Sequence, residues 1–217
     1  MHIAVLGTGS VGRTIGARAA ELGHQVVIGT RDVAATRAGA FAAWAAEHPG
    51  VGLETLAVAA ADAELVVNAT SGTGSLPALT AAGAANLAGK VLLDIANPLD
   101  FSAGFPPTLT VPDTDSLAEQ IQREFPQARV VKSLNTLTAE LMVRPRQLAD
   151  GAHTVFVSGD DAEAKRIVTG LLVSFGHTDV IDLGDLSTAR GTEMLMPLWL
   201  RLYGRLDTAT FNIKVVR

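Results

Sequence analysis

A glycine-rich turn lies within the first thirteen residues of the chain, MHIAVLGTGSVGR, and it limits the folds that the chain can adopt. A short apolar segment, Ile3–Leu6, runs directly into the sequence GTGSVG at 7–12, which matches the pattern G-x-G-x-x-G. A helical repeat of apolar residues then extends from Val11 to Leu22. A strand, a glycine turn and a helix in this order are typical of a unit that binds the diphosphate of a dinucleotide, although α/β proteins also use such turns without a nucleotide.

Each glycine of this turn has a mechanical role. Gly7 permits the tight turn, Gly9 lets a diphosphate approach the backbone, and Gly12 lets the helix and the strand pack closely. The phosphates would lie against the N–H groups at the positive end of the helix that begins near Ser10. The predicted diphosphate-binding residues are Gly7, Thr8, Gly9, Ser10, Val11 and Gly12.

The rest of the chain alternates short apolar segments with alanine-rich segments of helical length, which indicates an α/β fold. With 48% hydrophobic and 18% charged residues, the chain has ample material for a core. We therefore predict a Rossmann-type doubly wound parallel sheet. The predicted strands are Ile3–Leu6, Gln25–Ile28, Glu64–Ala69, Lys90–Asp94, Arg129–Lys132, His153–Ser158 and Thr178–Asp182. The predicted helices are Val11–Leu22, Val33–His48, Leu76–Gly83, Leu117–Glu124, Ala162–Phe175 and Thr188–Leu206, the last interrupted at Pro197.

Chain length suggests how this fold is divided. A length of 217 residues is long for one simple domain and short for two full ones. We expect a dinucleotide-binding Rossmann domain at 1–150 and a small C-terminal lobe at 151–217. The longest irregular stretch, Phe101–Asp115, forms either a rim over a site or a surface connection.

Composition excludes several classes of partner. The net charge of −5 offers no basic surface for nucleic acid. The chain has no cysteine, and its five histidines are scattered without the spacing of metal ligands, so we expect no metal. The N-terminus has no signal-peptide pattern, and no apolar run approaches the roughly 18 to 20 residues of a membrane span. We expect a soluble, cytoplasmic protein with no membrane partner.

The end of the second strand, in the sequence VVIGTRD, indicates which dinucleotide is bound. A cofactor with a free ribose 2′-hydroxyl is usually held by an acidic residue at this position. Here Thr30 and Arg31 offer a hydroxyl and a guanidinium, which suit a 2′-phosphate. Asp32 lies one position late and is better explained as the N-cap of the next helix. We therefore predict NADP, with Arg37 either adding charge near the phosphate or lying on a solvated helix face.

Two further strand ends should border the rest of the cofactor, because ligands of open α/β sheets lie outside the carboxyl ends of the strands. The sequence NATSGTGS places Ala69, Thr70 and Ser71 beside the ribose and the nicotinamide. The sequence IANPLDF places Asn97 and Pro98 near the carboxamide. The segment SGTGS itself is equally explained as a flexible loop.

We assign no catalytic side chain. Enzymes that oxidise alcohols need a group that moves the hydroxyl proton, and Lys132 is the one titratable side chain expected near the cleft. Its position makes it a possible proton donor, but we do not favour that role. The spacing of Met194, Met196, Trp199 and Tyr203 fits a flat apolar pocket or, preferably, a core or dimer face, and we expect a homodimer.

Six segments carry a resemblance to a known family: VLGTGSVG, IGTRD, VVKSLNT at Val130–Thr136, SGDDAEAK at Ser158–Lys165, DLGDLSTAR at Asp182–Arg190, and the ending FNIKVVR. Over nearly its whole length the chain resembles the NADP-dependent oxidoreductases of the deazaflavin coenzyme F420. The resemblance implies that a small C-terminal lobe completes a groove in which the deazaflavin lies against the nicotinamide. It also implies that Asn135, Leu137 and Phe211 border this second ring.

Two departures from the family leave the electron acceptor open. Members that act on the deazaflavin often have G-G-T-G in the first turn and a histidine where this chain has Asn135. The asparagine form also resembles the cytosolic NADPH-binding domain of the six-transmembrane metalloreductases, which pass electrons through a flavin. The resemblance implies hydride transfer between NADP(H) and coenzyme F420 or a flavin such as FMN or FAD. The alternatives are a non-catalytic module that senses NADP(H) and an NADPH-dependent reductase of another small substrate.

Overall fold

The protein is described by a computed structural model that covers all 217 residues. Ten strands are present, and eight of them form one sheet. They are β1 (His2–Leu6), β2 (Gln25–Thr30), β3 (Val51–Thr55), β4 (Leu65–Asn68), β5 (Val91–Asp94), β6 (Leu99–Asp100), β7 (Thr108–Leu109), β8 (Arg129–Ser133), β9 (Val155–Gly159) and β10 (Val180–Gly184).

Eleven α-helices connect and cover these strands. They are α1 (Ser10–Glu21), α2 (Val33–Ala38), α3 (Phe41–Glu47), α4 (Leu56–Ala61), α5 (Gly72–Ala82), α6 (Ala84–Leu87), α7 (Leu117–Glu124), α8 (Ala139–Val143), α9 (Ala162–Phe175), α10 (Ala189–Met194) and α11 (Met196–Leu206). Three short 3₁₀ turns lie at Pro145–Gln147, Ala149–Gly151 and Leu186–Thr188. None of the helices combines the length and the apolar character needed to cross a bilayer.

The main sheet has the order β10-β9-β8-β5-β4-β1-β2-β3. The pairs from β3 to β8 are parallel, whereas β9 pairs antiparallel with β8 and parallel with β10. The chain runs outward from β1 to β3 and then returns to β4 on the other side of β1. This reversal opens a crevice at the carboxyl ends of β1 and β4, which is where open α/β sheets bind ligands. The predicted Rossmann-type α/β fold is confirmed.

Side chains of the sheet alternate between two cores. Ile3 and Val5 belong to a cluster of 26 buried residues on the face covered by α1, α8 and α9. Ala4 and Leu6 belong to a cluster of 21 buried residues on the opposite face, covered by α4, α5 and α7. Since both faces are covered, the strands are apolar almost throughout, as in other buried parallel sheets.

Several sequence predictions of local structure need correction, and some elements were missed. Strand β3 and helix α4 were not predicted. The predicted helix Val33–His48 is two helices, because the chain leaves helical geometry at Gly39. The segment SGTGS is the start of helix α5 and not a flexible loop. The predicted interruption at Pro197 is confirmed, since α10 ends at Met194 and Pro197 is the second residue of α11.

The C-terminal segment 151–217 does not have a sheet of its own. It adds β9 and β10 to the main sheet and then returns across it with α10 and α11. Its last residues run beside β9, where the Thr154 N–H donates to the Ile213 carbonyl at 2.9 Å. The division of the chain into a Rossmann domain at 1–150 and a small C-terminal lobe at 151–217 stays a prediction.

Candidate functional site

A cavity of about 910 Å³ opens at the carboxyl ends of β1, β2 and β4, and we call it the turn cavity. The glycine turn forms one wall, the end of β2 a second, and the first turns of α5 a third. The lining residues are Gly7, Thr8, Gly9, Gly29, Thr30, Arg31, Asp32, Ala35, Thr36, Leu56, Ala69, Thr70, Ser71, Thr73, Gly74, Pro77, Ala78 and Ala81.

The three glycines of the turn meet different surroundings. Gly7 has φ +123°, and a Cβ there would lie 2.5 Å from the Ala69 carbonyl oxygen. A Cβ at Gly12 would collide with the Gly7 carbonyl oxygen, so this glycine allows α1 to pack against the turn. A Cβ at Gly9 would meet nothing within 4 Å. Gly9 therefore borders open space next to the free N–H groups at the start of α1, which fits a bound diphosphate.

At the end of β2, Arg31 and Asp32 separate in role. Asp32 caps α2, because its Oδ1 accepts from the Ala35 N–H at 2.9 Å, as the sequence predicted. Thr30 is buried, and its hydroxyl pairs with the Thr36 hydroxyl at 2.8 Å. Arg31 is exposed, lines the turn cavity and forms no ion pair within the chain. Its guanidinium is therefore free to meet an anion in the cavity.

A second cavity, of about 330 Å³, continues from the first, and we call it the apolar cavity. It shares Ala69, Thr70, Ser71 and Thr73 with the turn cavity. Its remaining lining residues are Val11, Gly72, Ile95, Ala96, Asn97, Leu99, Phe101, Asn135, Leu137, Met142, Met196 and Trp199. None of its lining side chains is acidic, basic or a histidine.

The polar wall of the apolar cavity is a pair of side-chain amides from the ends of β5 and β8. Asn97 Nδ2 donates to the Asn135 carbonyl oxygen at 2.8 Å. Asn135 Nδ2 donates in return to Asn97 Oδ1 at 2.9 Å and to the Thr192 carbonyl oxygen at 3.0 Å. The pair therefore joins two strand ends to α10.

Lys132 lies behind this wall and lines neither cavity. Its ammonium is fully buried and lies 2.8 Å from both Asp94 Oδ2 and Glu193 Oε1. It also donates to the Ala96 carbonyl oxygen. Burial alone would lower the pKa of Lys132, but the two carboxylates outweigh it and raise the pKa above its ordinary value. Lys132 is thus an ion-pair partner in the core, and its possible role as a proton donor to the cleft is not supported.

The buried carboxylates have further partners. Glu193 accepts from the Leu117 and Ala118 N–H groups, at 2.8 and 3.2 Å, at the start of α7. Asp94 Oδ1 accepts from Asn68 Nδ2 at 2.8 Å. Two carboxylates thus share one ammonium, and the positive end of α7 offsets the remaining negative charge.

The structure brings most of the predicted binding residues to the two cavities. Gly7, Thr8, Gly9, Thr30 and Arg31 line the turn cavity, and Val11, Asn97, Asn135 and Leu137 line the apolar cavity. Ala69, Thr70 and Ser71 line both.

Four predicted binding residues do not line either cavity. Ser10 is exposed at the start of α1, and Gly12 is buried beneath the turn. Pro98 is buried. The Phe211 ring stacks on the ring of Trp199, which lines the apolar cavity, with centroids 5.0 Å apart.

Sequence reasoning missed part of the apolar wall. Phe101 opens the loop 101–115 and lines the cavity, so the start of this loop is part of the rim. Met196 and Trp199 line the cavity too, whereas Met194 and Tyr203 are exposed at 39% and 40%. Residues of an amphipathic helix carry no signal that tells a cavity wall from a core or dimer face. No group of three or more histidine or acidic side chains lies close enough together to hold a metal ion.

Comparison with known proteins gives consistent results. Residues 2–98 match the profile of a family described as "NADP oxidoreductase coenzyme F420-dependent". The chain is 32% identical over 202 residues to metalloreductase STEAP3 of Rattus norvegicus, and this alignment covers 91% of this chain and 37% of that protein. It is 30% identical over 117 residues to the F420-dependent NADP reductase of Methanocaldococcus jannaschii, which covers 54% of this chain and 52% of that protein. The chain thus spans between a third and about half of the length of these two curated relatives.

A solved structure matches over the full length. The crystal structure of a candidate F420-dependent NADP reductase from Arthrobacter sp. FB24 superposes with a TM-score of 0.98 at 63% identity, and the match covers 100% of both chains. The fold, the glycine turn and these matches agree. The chain belongs to the family of coenzyme F420-dependent NADP oxidoreductases.

Proposed function

We propose that the protein transfers a hydride between NADP(H) and coenzyme F420 or a flavin-type acceptor. The observation that carries the proposal is the pair of connected cavities, which meet at Ala69, Thr70 and Ser71. One cavity offers a diphosphate turn and a free arginine, and the other offers mostly apolar walls. Such an arrangement suits a dinucleotide whose nicotinamide reaches into the apolar cavity beside a second ring.

The residues of the turn cavity would hold and select the cofactor. The N–H groups at the start of α1 and the open space at Gly9 suit the diphosphate. Arg31 would bind the 2′-phosphate and so favour NADP over NAD. When bound, NADPH supplies the hydride that the reaction transfers.

The residues of the apolar cavity would align the two rings and exclude water. Trp199, Met196 and Leu137 form its apolar walls, together with Phe101 at the rim. Direct transfer between two rings needs mainly proximity and orientation, which can lower a barrier by about 7 to 11 kcal/mol. Because no lining side chain is acidic, basic or a histidine, we assign no catalytic acid or base, and solvent at the rim would supply any proton.

The experiment is a panel of acceptors. Purified protein is mixed with NADPH and with coenzyme F420, FMN, FAD or riboflavin, and NADPH oxidation is followed by absorbance. We expect turnover with at least one of them and fastest with coenzyme F420. Binding of NADPH without turnover of any acceptor would contradict the proposal and indicate a module that senses the cofactor.

We also propose that two copies of the chain associate through α11. Leu198, Leu202 and Leu206 recur at a spacing of four residues and so share one stripe of the helix. Leu198 and Leu206 are 53% and 52% exposed, so the stripe offers a contiguous apolar surface that a second copy would cover. Light scattering should give the mass of a dimer for the native protein and of a monomer for Leu198→Asp. A monomeric native protein would contradict this proposal.

A further inference from the structure

The Asn97–Asn135 pair has a fixed orientation that determines what it offers to a ligand. Both N–H groups of Asn135 Nδ2 are used, one by Asn97 Oδ1 and one by the Thr192 carbonyl oxygen. If the Asn135 amide turned over, its Oδ1 would face these two acceptors instead. Asn135 Oδ1, Asn97 Oδ1 and the Thr192 carbonyl oxygen would then face one another with no N–H group between them. The amide is therefore held in the observed orientation.

This orientation leaves two free groups on the pair. Asn135 Oδ1 accepts no hydrogen bond from the protein, and Asn97 Nδ2 uses one of its two N–H groups, on the Asn135 carbonyl oxygen. The two side chains are in direct contact and both line the apolar cavity. The wall therefore presents one acceptor beside one donor.

The core behind the wall holds both members of the pair in place. Lys132 donates to the carbonyl oxygen of Ala96, the residue before Asn97. It also pairs with Glu193, the residue after Thr192. One buried ammonium thus holds the backbone next to Asn97 and the side chain next to Thr192, so the hydrogen-bond donor and acceptor of the pair are preorganised.

We infer that this amide pair binds the edge of a planar ring system on which an N–H group stands beside a carbonyl oxygen. The inference rests on the proposed function, which supplies two such edges. One is the carboxamide of the nicotinamide, and the other is the pyrimidinedione edge of a flavin or deazaflavin. A ring without the N–H group leaves Asn135 Oδ1 unpaired in the complex, and the pair selects against it.

The test combines one substitution with ligands that lack the N–H group. Asn135→Ala removes the hydrogen-bond acceptor Oδ1. Asn86→Ala is the matched control, because the Asn86 amide donates to two backbone carbonyl oxygens outside both cavities. The nicotinamide arm measures the affinity for NADP and for its 3-acetylpyridine analogue by calorimetry. The acceptor arm measures the binding of the fastest acceptor of the panel and of its N3-methyl derivative by fluorescence quenching.

We expect Asn135→Ala to weaken binding of the ligand with the N–H group by about 5- to 150-fold in one arm, and to leave binding of its analogue unchanged. A loss in the nicotinamide arm assigns the edge to the carboxamide, and a loss in the acceptor arm assigns it to the pyrimidinedione. Equal effects on ligand and analogue in both arms overturn the inference, as does any equivalent loss in Asn86→Ala.

The inference stays testable if the variant does not fold and if the protein shows no turnover. If Asn135→Ala does not fold, equal affinities of the native protein for ligand and analogue in both arms overturn the inference. The nicotinamide arm measures binding and needs no turnover. A failure of the inference is therefore distinguishable from a failure of the proposed activity.

Discussion

Arg31 and Asp32 are neighbours in the chain, but the structure gives them opposite tasks. The carboxylate of Asp32 is committed to the start of α2 through the Ala35 N–H. The guanidinium of Arg31 forms no ion pair within the chain and borders the turn cavity. An acidic side chain at this strand end would favour a ribose hydroxyl, whereas a free arginine favours a phosphate. We therefore expect cofactor choice at this position to depend on Arg31.

Replacing Arg31 with alanine should weaken NADPH binding and leave NADH binding nearly unchanged. A charge-assisted contact is worth about 1.5 to 3 kcal/mol, which corresponds to a loss of about 10- to 150-fold in affinity. Arg37→Ala is the matched control, because Arg37 lies on α2 outside the cavity and donates to the Leu53 carbonyl oxygen. Both affinities can be measured by fluorescence titration. Equal losses for NADPH and NADH in Arg31→Ala would show that Arg31 does not read the 2′-phosphate.

Gly9 and Gly12 should respond in opposite ways to the same substitution. Gly9 has φ −71°, which valine tolerates, and its Cβ direction is open. Gly9→Val should keep the native stability within about 0.5 kcal/mol and lose NADPH binding, since the side chain fills space that the diphosphate needs. Gly12→Val forces a side chain onto the Gly7 carbonyl and should lose about 1 to 3 kcal/mol or more of stability. Thermal melts and NADPH titrations separate the two effects, and normal NADPH binding by Gly9→Val would place the cofactor elsewhere.

At the scale of elements, the missed strand β3 shows where pattern reading fails. Its sequence, VGLET, contains a glycine and a glutamate, and only Leu53 is buried. As the edge strand it pairs with β2 alone, so it needs fewer apolar residues than the central strands. The central strands β1, β4, β5 and β8 are buried on both faces and were predicted from their apolar runs.

The Lys132 ion pairs join three elements, β5, β8 and α10, and Glu193 extends the network to the start of α7, so their loss should destabilise the fold. Lys132→Met leaves Asp94 and Glu193 buried without a cation, which typically costs about 3 to 5 kcal/mol. Lys165→Met is the control: Lys165 pairs with the exposed Asp182 at 2.9 Å, and such a pair contributes about 1 kcal/mol or less. Urea unfolding measures both. A loss in Lys132→Met no larger than in the control would show that the buried pairs do not stabilise these contacts.

At the scale of the whole molecule, sequence reasoning located one wall of the site better than the other. The glycine turn and the strand ends carry local signals, so Gly7 and Thr70 could be placed beside a cofactor from sequence alone. The opposite wall depends on the antiparallel pairing of β8 with β9, which brings α11 back over the strand ends. Nothing near Trp199 in the sequence indicates that pairing. The sequence also does not show that Lys132 is buried between Asp94 and Glu193, which are distant in the chain, so Lys132 was predicted to lie at the cleft.

Acid stability of the whole molecule is expected to depend on His177, a buried residue beside Gly176 at the end of α9. Burial is the main cause that lowers the pKa of His177 from 6.5 to about 4. The hydrogen bond between its ring and the Met142 carbonyl oxygen, at 2.9 Å, acts in the opposite direction and raises the pKa. The His153 ring, 6.3 Å away, lowers the pKa further. The carboxyl groups of Asp115 and Asp179, whose pKa values are lowered to about 2 by hydrogen bonds from Arg123 and Lys214, act only in more acidic solution.

Between pH 6.5 and about 4, the unfolded chain therefore binds a proton at His177 that the folded chain excludes. Lowering the pH through this window should remove about 3 kcal/mol of stability, and no more is lost at this residue below it. His177→Gln should flatten most of this dependence, with a smaller part remaining because burial and the N-terminal ammonium also lower the pKa of His24. His2→Gln, at an exposed position, should retain the full dependence. Urea unfolding at pH 7, 6, 5 and 4 tests this prediction, and the same slope in native protein and His177→Gln would assign the acid sensitivity to other groups.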